Sequence, residues 1–148
     1  MNNLSFHITD IMTNSIRAKA SEIGLFIEER DLRITIRIAD NGLGMDAGTI
    51  ARVTNPFYTT RTTRKVGLGI PFLIQNAEQT GGAVSITSQP GKGTVVTASF
   101  CSNHIDCPPW GDLPGTVAML ITGNPDINIC FEYQAVKTVF SISTSEIK

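Results

Sequence analysis

The 148 residues carry a formal net charge of −1, with 41% hydrophobic and 17% charged side chains. That balance suits one folded unit and excludes a disordered chain, and so little net charge leaves no general attraction to nucleic acid or to an anionic membrane surface. No apolar run reaches the roughly 18 residues of a membrane span. Met1 to His7 lacks the basic and apolar regions of a secretory signal. Cys101, Cys107 and Cys130 are odd in number and loosely spaced, so reduced thiols in a cytoplasmic protein are expected rather than a disulfide framework.

Leu4, Ile8, Ile11, Met12 and Ile16 follow helical spacing and predict an amphipathic helix over roughly residues 3–20. His7, Asp10, Asn14 and Arg17 recur at the same spacing and are predicted to share a second, polar face. Ile23 to Glu29 reads as a strand, with a turn at Glu29-Arg30-Asp31. Leu32, Ile34, Ile36 and Ile38 then alternate with polar or small residues, the pattern of a half-buried strand that delivers Asp40 into a glycine-rich turn. Asp46 suits the N-cap of a short helix through Val53. Thr54 to Val66, rich in threonine and arginine and interrupted by Pro56, reads as a loop.

Ile70, Leu73, Ile74 and Ala77 mark a second long helix, with Pro71 in its first turn and Gly81-Gly82 at its end. Val84 and Ile86 begin a strand, Pro90 to Gly93 is a turn, and Thr94 to Phe100 is the returning strand. Pro108, Pro109 and Pro114 break the pattern between residues 102 and 115. A short helix around Val117, Leu120 and Ile121, a strand from Ile127 to Tyr133 and a return over Val136 to Ser143 follow. Residues 103–148 are too few to bury a core of their own and are expected to pack on a core of residues 1–102. The expected class is α+β: a two-layer sandwich of a mixed, mainly antiparallel sheet with helices on one face, extended by a C-terminal helix and hairpin.

Three segments carry chemistry. Asp10 and Asn14 lie one helical turn apart, an acid able to take a proton and an amide oxygen of the kind magnesium accepts. Asp40-Asn41-Gly42-Leu43-Gly44-Met45 places a carboxylate after a strand, where it can accept from an exocyclic amine. Gly42 and Gly44 let the backbone pass close by. Gly67-Leu68-Gly69 opens a helix, whose N–H groups favour phosphate. Arg61, Arg64 and Lys65 add positive charge beside it. Cys101, His104 and Cys107 have a metal-like spacing but lack a convincing fourth ligand.

The order and spacing of these segments resemble the ATP-binding domain shared by histidine kinases, gyrase-type topoisomerases, heat-shock chaperones and mismatch-repair ATPases, the GHKL family with its Bergerat fold. The resemblance covers about Leu4 to Phe100. It implies ATP and magnesium as ligands, with Asn14 holding the ion, Asp40 reading adenine beside Gly42, Gly44 and Met45, and Gly67, Leu68 and Gly69 cradling phosphates. Asn55 to Arg61 resembles the histidine-kinase box that opens the ATP lid, which brings Thr60, Arg61 and Lys65 to the triphosphate. Gly91-Lys92-Gly93-Thr94 resembles the last glycine box, whose Thr94 helps to hold adenine. Arg17 matches the basic residue histidine kinases carry three positions after the asparagine, whereas an acid at Asp10 is a feature of the ATPase branches and the serine-kinase anti-sigma factors, where it is usually glutamate.

The resemblance therefore implies phosphotransfer to a separate protein, on histidine or on serine or threonine, with Asp10 as the base. An ATP-hydrolysing conformational switch and a non-enzymatic nucleotide-sensing module are the alternatives. No upstream phosphoacceptor hairpin precedes the Asn14 helix in this sequence, so the acceptor is expected in trans. A homodimer is an assembly the family commonly forms; nucleic acid and membrane are not expected partners.

Overall fold

The computed structural model describes residues 3–53, 69–135 and 138–143. Helix α1 (Leu4–Arg17) is capped by Asn3, whose side chain accepts from the Phe6 N–H at 2.7 Å. The N–H groups of Leu4 and Ser5, which no turn of a helix can satisfy, donate instead to the carbonyls of Pro109 and Trp110 at 2.8 and 3.1 Å. A segment more than a hundred positions later thus closes the start of α1. The helix stops short of the predicted residue 20 because Lys19 turns to a φ of 63°.

Strands β1 (Glu22–Arg30) and β2 (Arg33–Asp40) form a hairpin. The alternation predicts that β2 begins at Leu32. Leu32 lies instead in the two-residue turn at φ 62°, beside Asp31 at φ 54°, and is exposed. Positive φ at both positions is what a tight hairpin of right-handed twist demands. Helix α2 (Ala47–Val53) starts after Asp46, whose carboxylate accepts from the Thr49 N–H at 2.7 Å. The predicted loop over 54–66 lies outside the described residues. Helix α3 (Gly69–Gln79) ends in a Schellman arrangement: Gly81, at φ 84°, donates to Glu78, and Gly82 donates to Ala77. Strands β3 (Ala83–Gln89) and β4 (Gly93–Cys101), helix α4 (Leu113–Gly123), and strands β5 (Asn128–Ala135) and β6 (Thr138–Ser143) complete the order.

Among the described residues, six strands form one sheet in the order β3-β4-β2-β1-β5-β6. Every pairing is antiparallel except β1 with β5, where Ile23 meets Ile129 and Leu25 meets Phe131 in parallel register. This is the α+β architecture expected. Ile34, Ile36 and Ile38 point to the buried face while Arg33 and Arg37 stay exposed. Leu4, Ile8, Ile11 and Met12 of α1, Leu73 and Ala77 of α3, and Val117 and Ile121 of α4 all join one cluster with those isoleucines, so the three helices share that face. On the opposite face the Arg37 guanidinium sits 4.5 Å from the centre of the Phe26 ring. Residues beyond 103 add to the same core through Ile129 and Phe131, and Tyr133 donates its hydroxyl to the Glu29 carboxylate.

His7 departs from its predicted place. It is 2% exposed, with Phe72 at 5.2 Å and the Phe100 ring stacked at 6.4 Å, and its Nε2 lies 2.8 Å from the Asn76 amide nitrogen. The polar stripe of α1 is open only beyond its first turns, because α3 covers the N-terminal end. Burial pushes the His7 pKa from 6.5 to about 4. Between those values the unfolded chain binds the extra proton, so stability is full above about 6.5 and falls as pH drops toward 4, by about 3 kcal/mol in all. Urea midpoints across that window check this, and His7→Gln should flatten that part of the pH dependence.

Candidate functional site

The Asp40 turn is held from three sides. Asn41 accepts from the N–H groups of Ser21 and Glu22 at 2.8 and 2.9 Å, which ties the turn to the start of β1. Leu43 donates to the Ala18 carbonyl at the end of α1 at 2.8 Å, and Gly91 of the β3–β4 hairpin donates to the Leu43 carbonyl at 2.6 Å. Gly42 lies so close to α1 that an added Cβ would stand 2.6 Å from the Ala18 carbonyl oxygen. Gly44 has φ +74°, and its added Cβ would stand 2.0 Å from the Gln89 carbonyl oxygen. Only glycine meets both requirements there.

Asp40 itself is oriented through both oxygens. Its Oδ1 accepts from the Gly42 N–H at 2.8 Å, and its Oδ2 accepts from the Ser15 hydroxyl at 2.6 Å. Ser15 is buried on α1. Each carboxylate oxygen has one fixed donor and a lone pair to spare, which is the arrangement for accepting from a ligand amine.

The carboxylate opens into a cleft of about 250 Å³ between α1, the glycine turn, α2, α3 and β4. Of the residues singled out from the sequence, Asn14, Arg17, Asp40, Gly44, Met45 and Thr94 line it together. Gly42 is buried behind the turn. Asp10 is half-buried one turn before Asn14 and is not among the lining residues. Burial pushes its carboxyl above the usual carboxylate range, with the Arg17 charge opposing the rise. Gly69 is the first residue of α3. Thr60, Arg61, Lys65, Gly67 and Leu68 lie outside the described residues.

Sequence reasoning missed parts of the wall and of the layer behind it. Ile11, Ile70 and Val96 supply its apolar surface. Ser15 continues the spacing of Ile8 and Ile11, and a serine inside an apolar stripe was a signal that could have found it. Ser88 likewise continues the inward positions Val84 and Ile86 of β3, and its hydroxyl accepts from the Met45 N–H at 2.8 Å. Among the described residues, no three His, Cys, Asp or Glu side chains gather as a metal cluster. In the 101–107 loop, the Cys101 thiol donates to Asn103 and the Asp106 N–H donates to His104. No described helix is long and apolar enough to cross a membrane.

Comparison with known proteins places this geometry. Residues 3–103 match the family described as histidine kinase-, DNA gyrase B-, and HSP90-like ATPase. The chain is 30% identical over 106 residues to sensor histidine kinase YxdK of Bacillus subtilis, covering 66% of this chain and 32% of that one. It is 35% identical over 93 residues to sensor protein kinase FleS of Pseudomonas aeruginosa, covering 61% of this chain and 23% of FleS. With sporulation kinase E of B. subtilis the identity is 31%, over 64% of this chain and 13% of the relative. The chain thus spans a third or less of these relatives' lengths. The crystal structure of the N-terminal domain of a DNA repair protein superposes with a TM-score of 0.54 at 16% identity, over 95% of this chain and 53% of that one, and shows the same fold. The chain belongs to the histidine kinase-, DNA gyrase B- and HSP90-like ATPase family, and residues 3–103 form an ATP-binding domain of histidine-kinase type.

Proposed function

We propose that the cleft binds ATP with magnesium and that the chain passes the γ-phosphate to a separate protein. The observation that carries the reading is the convergence of Asp40, Thr94 and Asn14 on one cleft that Ile11, Met45, Ile70 and Val96 also line. An adenine ring fits between Ile11, Met45, Ile70 and Val96 with its amine toward Asp40. Asn14 offers an amide oxygen to magnesium, a hard cation that keeps several waters and needs only one or two protein ligands besides phosphate. Bound there, the ion would neutralise charge on the phosphates. Arg17, on the same wall, can grip a phosphate oxygen.

In the transfer itself, the bond from the γ-phosphorus to the bridging oxygen breaks, a bond to the acceptor forms, and ADP leaves. A hydroxyl acceptor must give up its proton. Asp10, with its raised pKa one turn from Asn14, is the base for it. An imidazole acceptor needs no such step. His7 is buried against Phe72 and Phe100, which supports an acceptor outside this core.

A second reading, ATP hydrolysis driving a conformational switch, rests on the same acid activating water. γ-Labelled ATP separates the two. Label arriving on another protein is the expected result, label released only as phosphate favours the switch, and no ADP in any mixture contradicts both. Asp10→Asn is expected to lower ADP release by about 100-fold while leaving ATP affinity within about threefold, measured by coupled assay and titration calorimetry.

A further inference from the structure

Register brings Asp40, Thr94 and Ser88 into one row across three neighbouring strands: Asp40 pairs with Thr94 between β2 and β4, and Thr94 pairs with Ser88 between β4 and β3. Asp40 and Thr94 face the cleft. Ser88 stands behind Thr94 and has three polar neighbours. Its Oγ lies 2.8 Å from the Gly93 carbonyl, 2.8 Å from the Met45 N–H and 2.8 Å from Thr94 Oγ1.

A hydroxyl has one proton and two lone pairs. The Gly93 carbonyl can only accept, so it takes the Ser88 proton. The Met45 N–H can only donate, so it takes one Ser88 lone pair. The remaining lone pair faces Thr94, and the one assignment that satisfies all three contacts has Thr94 donating to Ser88. The Thr94 proton is then turned away from the cleft, and Thr94 presents only lone pairs to a ligand. The polar edge formed by Thr94 and the Asp40 carboxylate is therefore made of acceptors.

We infer that Ser88, by holding the Thr94 hydroxyl as an acceptor, is the positioning residue that makes the cleft select a 6-amino purine over a 6-oxo purine. This rests on the reading of the cleft as a nucleotide site. An adenine amine has two protons to give to such an edge. A 6-oxo purine can give its ring N–H to Asp40, but its carbonyl oxygen would then face the Thr94 lone pairs. A buried acceptor left against an acceptor is what makes hydrogen-bonding sites selective. Without Ser88, the Thr94 hydroxyl can rotate and donate to that carbonyl.

The test compares ATP with inosine triphosphate by competition titration on the full chain. Wild type is expected to prefer ATP by about tenfold or more. In Ser88→Ala the preference should shrink to within about threefold, chiefly because inosine triphosphate binds better, whereas Ser88→Thr should restore it. Loss of the Met45 contact alone would weaken both nucleotides together, so the ratio separates positioning from simple destabilisation. Should Ser88→Ala not fold, Ser88→Cys, whose sulfur is a poor acceptor for the Thr94 hydroxyl, is expected to show the same narrowing. An unchanged ratio in folded Ser88→Ala, or in Ser88→Cys where Ser88→Ala does not fold, or a wild type that binds both nucleotides equally, overturns the inference. A wild type that binds neither overturns the nucleotide reading itself.

Discussion

Asp40→Asn is expected to weaken ATP binding by roughly 30- to 100-fold, the equivalent of about 2–3 kcal/mol, with little change in the melting midpoint. The carboxylate offers acceptors on both sides, one to the Gly42 N–H and one to the Ser15 hydroxyl. An amide keeps only one oxygen, so one of these donors meets an NH₂ group. The Ser15 hydroxyl can rotate to accept; the Gly42 N–H cannot. The turn is thereby satisfied with the amide oxygen toward Gly42, and the NH₂ group is left on the Ser15 side. The site then offers a donor where the ligand amine needs an acceptor. Titration calorimetry on wild type and Asp40→Asn checks the size of the loss, and unchanged affinity would refute the role assigned to Asp40.

Gly44→Ala is expected to cost more than about 3 kcal/mol of stability and to abolish nucleotide binding with it. Two penalties act together at this position. A φ of +74° strains any L side chain, and the new Cβ would lie 2.0 Å from a backbone oxygen that hairpin hydrogen bonds hold in place. Either the Asp40 turn or the β3–β4 hairpin must move, and Met45 and Thr94 move with them. Gly81→Ala is the control. Gly81 has a similar φ of +84° but nothing within 4 Å of an added Cβ, so only the conformational cost of about 1 kcal/mol should appear. Urea denaturation of both variants checks the difference, and equal losses would show that the close approach to Gln89 is not what fixes glycine at position 44.

Much of this arrangement is legible in the sequence because its elements advertise their faces. The alternation of Ile34, Ile36 and Ile38 marks a strand buried on one side, and the strand ends where Asp40 enters the glycine turn. Gly81-Gly82 after a helical run foretells the cap that closes α3. What alternation cannot supply is a neighbour. Ile129 and Phe131 announce a strand with one buried face, yet nothing local says that it lies parallel to β1 rather than against its own hairpin alone. His7 fails for a related reason: helical spacing assigns a residue to a face, and only the packing of α3 decides that this part of the face is covered. Ser15 and Ser88 were passed over because each is a polar residue at an apolar position. That mismatch is itself the mark of a buried partner, here Asp40 for Ser15 and the Met45 and Thr94 pair for Ser88. The pattern of the glycine motifs located the cleft, but the hydrogen-bond direction inside it became readable only once the strands were in register.

On the function proposed, ATP occupies the cleft between α1, the Asp40 turn and β4. The most direct measurement is an amide ¹H–¹⁵N spectrum of the chain titrated with ATP and magnesium. The expected result is saturable shifts concentrated at Ser15, Gly42, Gly44, Met45 and Thr94, with α4 and β5 little changed. No saturable shift, or shifts confined to α4 and β5, would contradict the claim.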